Sequence, residues 1–286
     1  MEVFDTKSIK LGAVSETLLW TLYNRVTEAR RSDTVLADPV AESLMDRFDF
    51  PFAERFGKPR WSQAQALRAG CFDNAVRVFL DTHPDGTVVA LGEGLETQFF
   101  RVDNSHVQWV SVDLPEVIVL RERFLPQNAR MRSVAASVLD DSWLKTLDDG
   151  PVCLTAQGLF MYLPLEQVRS LLARCAERLP SGCLIFDAVP QWVSNSTARG
   201  APSEGGYVAP HMLWGMGADE LLTEGVLCPH GSSATELKPE KGRGILFGHI
   251  LPALSHIPAL RDMRFPFFPW SIIQVIFQRP EDQVLM

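Results

Sequence analysis

Five short apolar runs, TVVALG (87–92), VQWVSVD (107–113), MRSVAAS (131–137), PVCLTAQG (151–158) and CLIFDAV (183–189), alternate with segments of helical spacing, and this alternation constrains the fold more than any other feature. Strands separated by helices run parallel, joined by right-handed crossovers, with both faces of the sheet covered. The expected fold class is therefore α/β with a mostly parallel sheet. The last clear strand is SIIQVIF (271–277).

Upstream of the first strand the pattern is helical. Leu18, Leu19, Leu22, Val26 and Ala29 form one stripe over residues 15–30, with Ser15 as the expected N-cap. Asp38-Pro39 offers a cap and a first-turn proline for a second helix, and Ser62-Gln63-Ala64-Gln65 resembles a capping box opening a third, which ends at His83-Pro84-Asp85-Gly86. Downstream of the fifth run, residues 190–217 are rich in Pro, Ser and Gly and read as a lid or binding loop, before a helix near 218–224. The expected organisation is one domain: a helical cap (1–85), a cofactor-binding core (86–189), a lid insertion (190–217) and a C-terminal part completing the sheet (218–286).

Composition narrows the function. A formal charge of −8 without a run of basic residues disfavours nucleic acid. No window approaches eighteen apolar residues and the N-terminus lacks a secretion pattern, so a soluble cytoplasmic protein without a membrane partner is expected. Cys71, Cys153, Cys175, Cys183 and Cys228 include no CxxC pair, which points to reduced thiols and to no metal.

The stretch VVALGEGLET places Gly92 and Gly94 where a buried strand turns into a helix. Glycine there lets a ligand approach the unpaired backbone N–H groups closely. About twenty residues on, Asp113 ends the next strand, where a carboxylate accepts the hydroxyls of a ribose; it also suits an N-cap role before Pro115. A dinucleotide fingerprint requires a third glycine, and residue 97 is Thr. Glu93 and Glu96 add negative charge that opposes a pyrophosphate and tolerates a sulfonium, so S-adenosylmethionine is the expected ligand.

LGEGLETQFFRVD, WVSVDLPEVIVLRERFLP and AQGLFMYLP together resemble the leucine carboxyl methyltransferase family, whose patterns run LGxGLDTRxxR, DLPEVxxxR and AEGxxMYL. SETLLWTLYNRVTEARRSDTVLADPVA resembles the family's N-terminal signature, and APHMLWGMGADEL that of its polyketide-type O-methyltransferase branch. The resemblance implies a class I, Rossmann-like methyltransferase with seven strands, six parallel and the last antiparallel. It further implies that Arg68 pairs with the methionine carboxylate of S-adenosylmethionine, that Gly92, Glu93 and Gly94 line the turn beneath the methionine, that Asp113 and Leu114 hold the ribose, and that Leu139 and Asp140 frame the adenine. Gln157 stands where the family has a glutamate facing the cofactor, Gln98 where it has an arginine, and Glu96 where it has an aspartate. The losses at 98 and 157 are of opposite sign.

The expected activity is O-methylation of a small-molecule carboxylic acid, aromatic or polyketide-like, in secondary metabolism. A carboxylate acceptor is already ionised and needs no base, whereas a phenol does. His211 in the insertion is the foremost histidine for such a base, its alternative being a loop histidine bonded to backbone. Tyr162, just past Gln157, is expected to help position the methyl transfer or to pack in the core. Tyr23, Met161, Tyr207, Met212 and Trp214 are expected to contact the acceptor, against an alternative of ordinary packing. Competing functions are a phenol or hydroxyl methyltransferase, a cofactor-binding protein without turnover, and a nicotinamide-dependent reductase.

Overall fold

The computed structural model describes residues 4–5, 13–200, 206–223, 225–256 and 267–278. Four helices precede the main sheet: α1 (Ala13–Ala29), α2 (Pro39–Met45), α3 (Phe52–Phe56) and α4 (Ser62–Thr82). Helix α1 starts two residues before Ser15, so Ser15 lies within the helix instead of capping it. The Asp38 side chain does cap α2, accepting from Ala41 N at 3.1 Å, and Pro39 opens the first turn. No capping box forms at α4, whose N-cap is Trp61; Gln65 instead accepts a hydrogen bond from Arg68. Phe4–Asp5 and Phe48–Asp49 form a separate two-residue parallel ladder.

The main sheet is built from β1 (Thr87–Leu91), β2 (Gln108–Asp113), β3 (Met131–Ala135), β4 (Val152–Ala156), β5 (Cys183–Ala188), β6 (Ser233–Leu237) and β7 (Ser271–Ile276). Their spatial order is 3-2-1-4-5-7-6. Strands β1 to β5 pair in parallel, and β7 is antiparallel to both neighbours. This is the class I methyltransferase sheet, with β6 parallel to the first five strands. Strand β6, SATEL, carries no apolar run because it is an edge strand paired only with β7, and periodicity gives no sign of it.

Period-two alternation sends Val88 and Ala90 of β1 to one face of the sheet and Val89 and Leu91 to the other. The first face packs on α4 through Phe72 and Val76; the second packs on α7 (Leu165–Arg178) through Val168, Leu171 and Leu172. A third core, under the helical cap, joins Leu19, Leu22 and Val26 of α1 to Phe52, Phe56 and Phe124. All five cysteines are buried thiols. Between β1 and β2 runs α5 (Gln98–Val102), and α6 (Pro115–Phe124) follows β2.

The expected insertion is less irregular than its composition suggests: it opens with α8 (Gln191–Ala198). A short helix, α9 (Ala218–Leu221), follows it where a helix was expected. Among the described residues, no helix is long and apolar enough to cross a membrane.

Candidate functional site

The parallel strands all point their carboxyl ends at one edge, where the loops after β1 and β4 part to leave a crevice. Here a cavity of about 290 Å³ is walled by α1, α4, the glycine turn, the loop after β4 and the insertion. Gly92 and Gly94 both adopt φ +58°, the left-handed conformation in which a side chain is strained. A Cβ on Gly94 would come within 2.5 Å of Leu18 Cδ2, and one on Gly92 within 2.7 Å of Leu159 Cδ1. The two glycines thus serve the close approach of α1 and the β4 loop as well as the turn.

The acids of this turn are neutralised by neighbouring arginines. Glu93 pairs with Arg121 at 2.7 Å and accepts hydrogen bonds from Trp109 Nε1 and Ser111 Oγ. Burial pushes its carboxyl up, and Arg121 and Ser111 pull it back. Glu96 contacts Arg25 at 2.9 Å and Arg101 at 2.8 Å. The expected excess of negative charge facing a sulfonium is therefore absent at these two carboxylates; tertiary pairing removed it.

Arg25 and Arg101 extend the pairing into a buried network. Arg25 Nε donates to Asp38 at 2.9 Å and its Nη2 to Leu95 O at 3.1 Å. Arg101 holds Asp73 through Nε and Nη2, at 2.7 and 3.0 Å, and Asp38 through Nη1 at 2.7 Å. Thr97 Oγ1 also donates to Asp38. Against the cost of burial, Arg25 and Arg101 hold the carboxyls of Asp38 and Glu96 below the usual range. The network ties α1, the start of α2 and α4 to the residues just past Gly94, which makes the cap part of the site.

Asp113 ends β2 with its two carboxylate oxygens on backbone donors, Oδ2 on Gly94 N and Oδ1 on Leu114 N, each at 2.8 Å. Burial pushes its carboxyl up, opposed by those two N–H groups. A carboxylate oxygen has capacity for more than one donor, so Asp113 can brace the turn and still accept a ribose hydroxyl. Ala136 N donates to Asp113 O at 2.9 Å, which sets the loop carrying Leu139 and Asp140 beside it. Leu139 packs on the sheet core, and Asp140 Oδ1 accepts from Ser142 N at 2.8 Å. Asp113, Leu114, Leu139 and Asp140 stand along the carboxyl edge outside the walls of the cavity itself.

Arg68, on α4, lines the cavity with 4% of its side chain exposed. It contacts Asp187 Oδ2 at 2.9 Å, bonds Gln65 Oε1 at 3.1 Å and lies over the Trp270 ring at 5.1 Å. Gly158 N donates to Asp187 Oδ1 at 2.6 Å, and a Cβ on Gly158, at φ +70°, would fall 2.7 Å from Arg68 Nη2. The glycine of AQG is thus required by the arginine seated against it. Among the described residues, Arg68 Nε has no hydrogen-bond partner, and neither have Gln98 Nε2 and Gln157 Oε1, two further atoms in the same wall. Unpaired buried donors and an acceptor around a cavity fit a bound amino-acid group.

Sequence reasoning missed Asp187, Gly158, Gln65 and Trp270. Asp187 carried a signal, an acid inside the apolar run CLIFDAV, and Gly158 stands within the AQG motif.

The expected acceptor residues divide. Met161, Tyr162 and Met212 line the cavity, joined by Trp20, Trp61, Val193 and Trp270. Tyr23 does not line it: it packs in the cap core near Phe52, and its hydroxyl donates to Gly57 O at 3.2 Å. Tyr207 packs between Trp20 and Phe56 with its hydroxyl on Thr17, again outside the cavity walls. Trp214 is buried on the opposite face of the sheet, donating to Leu163 O at 2.9 Å. His211 is exposed and not part of the wall. Backbone bonds explain this arrangement, since Met212 N is held by Thr197 Oγ1 and Leu213 N by Met161 O, which fixes Met212 against the cavity.

Comparisons with known proteins give the family. The family model described as Leucine carboxyl methyltransferase matches residues 19–176. The Tetracenomycin polyketide synthesis O-methyltransferase TcmP of Streptomyces glaucescens is 37% identical over 188 residues, covering 65% of this chain and 70% of that protein. The S-adenosyl-L-methionine-dependent methyltransferase dpfgK of Gibberella zeae is 27% identical over 205 residues, covering 64% of this chain and 69% of that one.

Proposed function

The chain belongs to the leucine carboxyl methyltransferase family and is an S-adenosylmethionine-dependent methyltransferase, and from that premise we propose that it esterifies the carboxylate of a small aromatic or polyketide-like acid in secondary metabolism. One observation carries the choice of a carboxylate. Among the described residues of the cavity wall, no group is placed to act as a base near neutral pH. No histidine lines it, Glu93 and Glu96 are ion-paired to arginines, and burial pushes the Tyr162 hydroxyl well above its ordinary value. An acceptor that arrives ionised needs no such group, because a carboxylic acid has a reference pKa near 4.

S-adenosylmethionine supplies a methyl group on a positively charged sulfur. Its transfer to one oxygen of an acceptor carboxylate, with sulfur keeping the electron pair of the broken carbon–sulfur bond, would give a methyl ester and S-adenosylhomocysteine and release no proton. The residues of this chain contribute placement. Arg68 and the glycine turn would hold the cofactor's amino-acid end, and Asp113 with Leu114, Leu139 and Asp140 along the strand ends would receive the adenosine. Trp20, Trp61, Met161, Met212 and Trp270 offer flat and polarisable surfaces to an aromatic acceptor. Correct placement of two reactants is worth as much as about 7–11 kcal/mol of barrier, enough for a leaving group that is already charged.

The test is incubation of the purified protein with S-adenosylmethionine and a panel of aromatic carboxylic acids and matched phenols, followed by mass spectrometry. Gain of one methyl group by an acid, removable by mild alkali, is the expected result. Products confined to alkali-stable phenol ethers would overturn the carboxylate reading.

A further inference from the structure

Among the described residues, Arg68 Nε, Gln98 Nε2 and Gln157 Oε1, all on side chains of the cavity wall, are buried without a hydrogen-bond partner, whereas Arg68 Nη2, likewise buried, is ion-paired to Asp187 Oδ2. They come from different elements, α4, the first residue of α5 and the loop after β4, so no local turn explains them together. Gln98 is 2% exposed, and a buried amide donor without an acceptor is costly unless something is bound there. Two donors and one acceptor are the complement of an amino-acid zwitterion, which presents a carboxylate and an ammonium.

Charge accounting selects the same ligand. Arg68 of the wall and Asp187, which does not line the cavity, already balance each other 2.9 Å apart. Glu93 and Glu96 are taken by Arg121, Arg25 and Arg101, so neither carboxylate is free for an ammonium. A zwitterion adds no net charge, and dipoles at positions 98 and 157 leave the balance intact.

We propose that Gln98 is a binding residue for the amino-acid end of S-adenosylmethionine, its Nε2 donating to the α-carboxylate beside Arg68, with Gln157 Oε1 accepting from the α-ammonium. Neutral amides then add a hydrogen bond to each group beside the Arg68 guanidinium. The assignment is independent of which acceptor is methylated.

Calorimetric titration with two nucleosides tests it. S-adenosylhomocysteine carries the zwitterion; 5′-methylthioadenosine keeps the adenosine and the thioether and lacks it. Gln98→Met, which preserves length and removes the donor, should weaken S-adenosylhomocysteine about tenfold or more and leave 5′-methylthioadenosine unchanged. Gln98→Glu, the closest isostere, should weaken S-adenosylhomocysteine at least as much by setting one carboxylate against another, and it serves if the methionine variant fails to fold. The double variant Gln98→Arg with Gln157→Glu should bind S-adenosylhomocysteine with a steeper salt dependence than the parent protein. Equal losses for the two nucleosides, or no loss for either, would overturn the proposal.

Discussion

Replacing Arg101 by Met isolates the part of the site that holds the helical cap onto the glycine turn. Arg101 is 5% exposed and donates to Asp73, Asp38, Glu96 and Thr97 over 2.7–3.0 Å. Burial opposes its charge, and Asp73, Glu96 and Asp38 more than restore it. Three carboxylates, Asp38, Asp73 and Glu96, share two guanidinium groups, Arg25 and Arg101. Methionine fills a similar volume, takes the Arg101 pair from Asp73 and leaves Arg25 alone against Asp38 and Glu96. Breaking a buried pair from one side costs about 3–5 kcal/mol, because a desolvated charge is left behind. At about 2–4 °C per kcal/mol for a chain somewhat smaller than this one, melting should fall by about 6–20 °C. The loss should also depend on pH. In the parent protein the carboxyls of Asp38 and Glu96 are held low, so their contribution is present above the unfolded values near 4 and is lost as pH falls through the folded values. In the variant the stranded carboxyls titrate upward and take up protons more readily in the folded state. Both effects shrink the difference between the two proteins as pH is lowered toward about 4. Scanning calorimetry at pH 7.5 and pH 4.5 reads both quantities. A melting change below about 2 °C at pH 7.5, or a difference that grows on acidification, would refute the account of the network as a charge-based clamp.

Asp113→Ala should weaken S-adenosylhomocysteine by about tenfold to a hundredfold in calorimetry, since it removes the expected ribose acceptor and the brace on Gly94 N and Leu114 N together. Undiminished affinity would remove Asp113 from the cofactor site. His211→Ala should change turnover by less than about twofold, because His211 is exposed and outside the cavity wall; a drop of more than about a hundredfold at constant cofactor affinity would make His211 a base and the acceptor a hydroxyl. Limited proteolysis should spare 206–217 even without ligand, because Leu213 N, Met216 N and Trp214 Nε1 are bonded to Met161 O, Val189 O and Leu163 O; early cleavage at Leu213 or Met216 would show that these bonds open readily.

Much of the fold was legible in the amino-acid sequence because burial writes a period into it. TVVALG, VQWVSVD, MRSVAAS, PVCLTAQG, CLIFDAV and SIIQVIF are each strands within a residue or two at either end, and Asp38-Pro39 caps its helix because the side-chain bond that does so spans only three residues. The glycine turn and Asp113 were likewise legible, since consecutive parallel strands bring the two strand ends together, and Gly94 N meets Asp113 there. Edge strand β6 was not, for it buries too little to need an apolar run. Side-chain direction and charge state were decided only by tertiary contacts. Glu93 and Glu96 read as open negative charge until Arg121, Arg25 and Arg101 arrive from other elements, and Coulomb pairing depends on distance in space, which residue order does not encode. Tyr23, Tyr207 and Trp214 carry the same aromatic chemistry as Trp20 and Trp270. Packing turned the first three away from the cavity and the last two onto its wall.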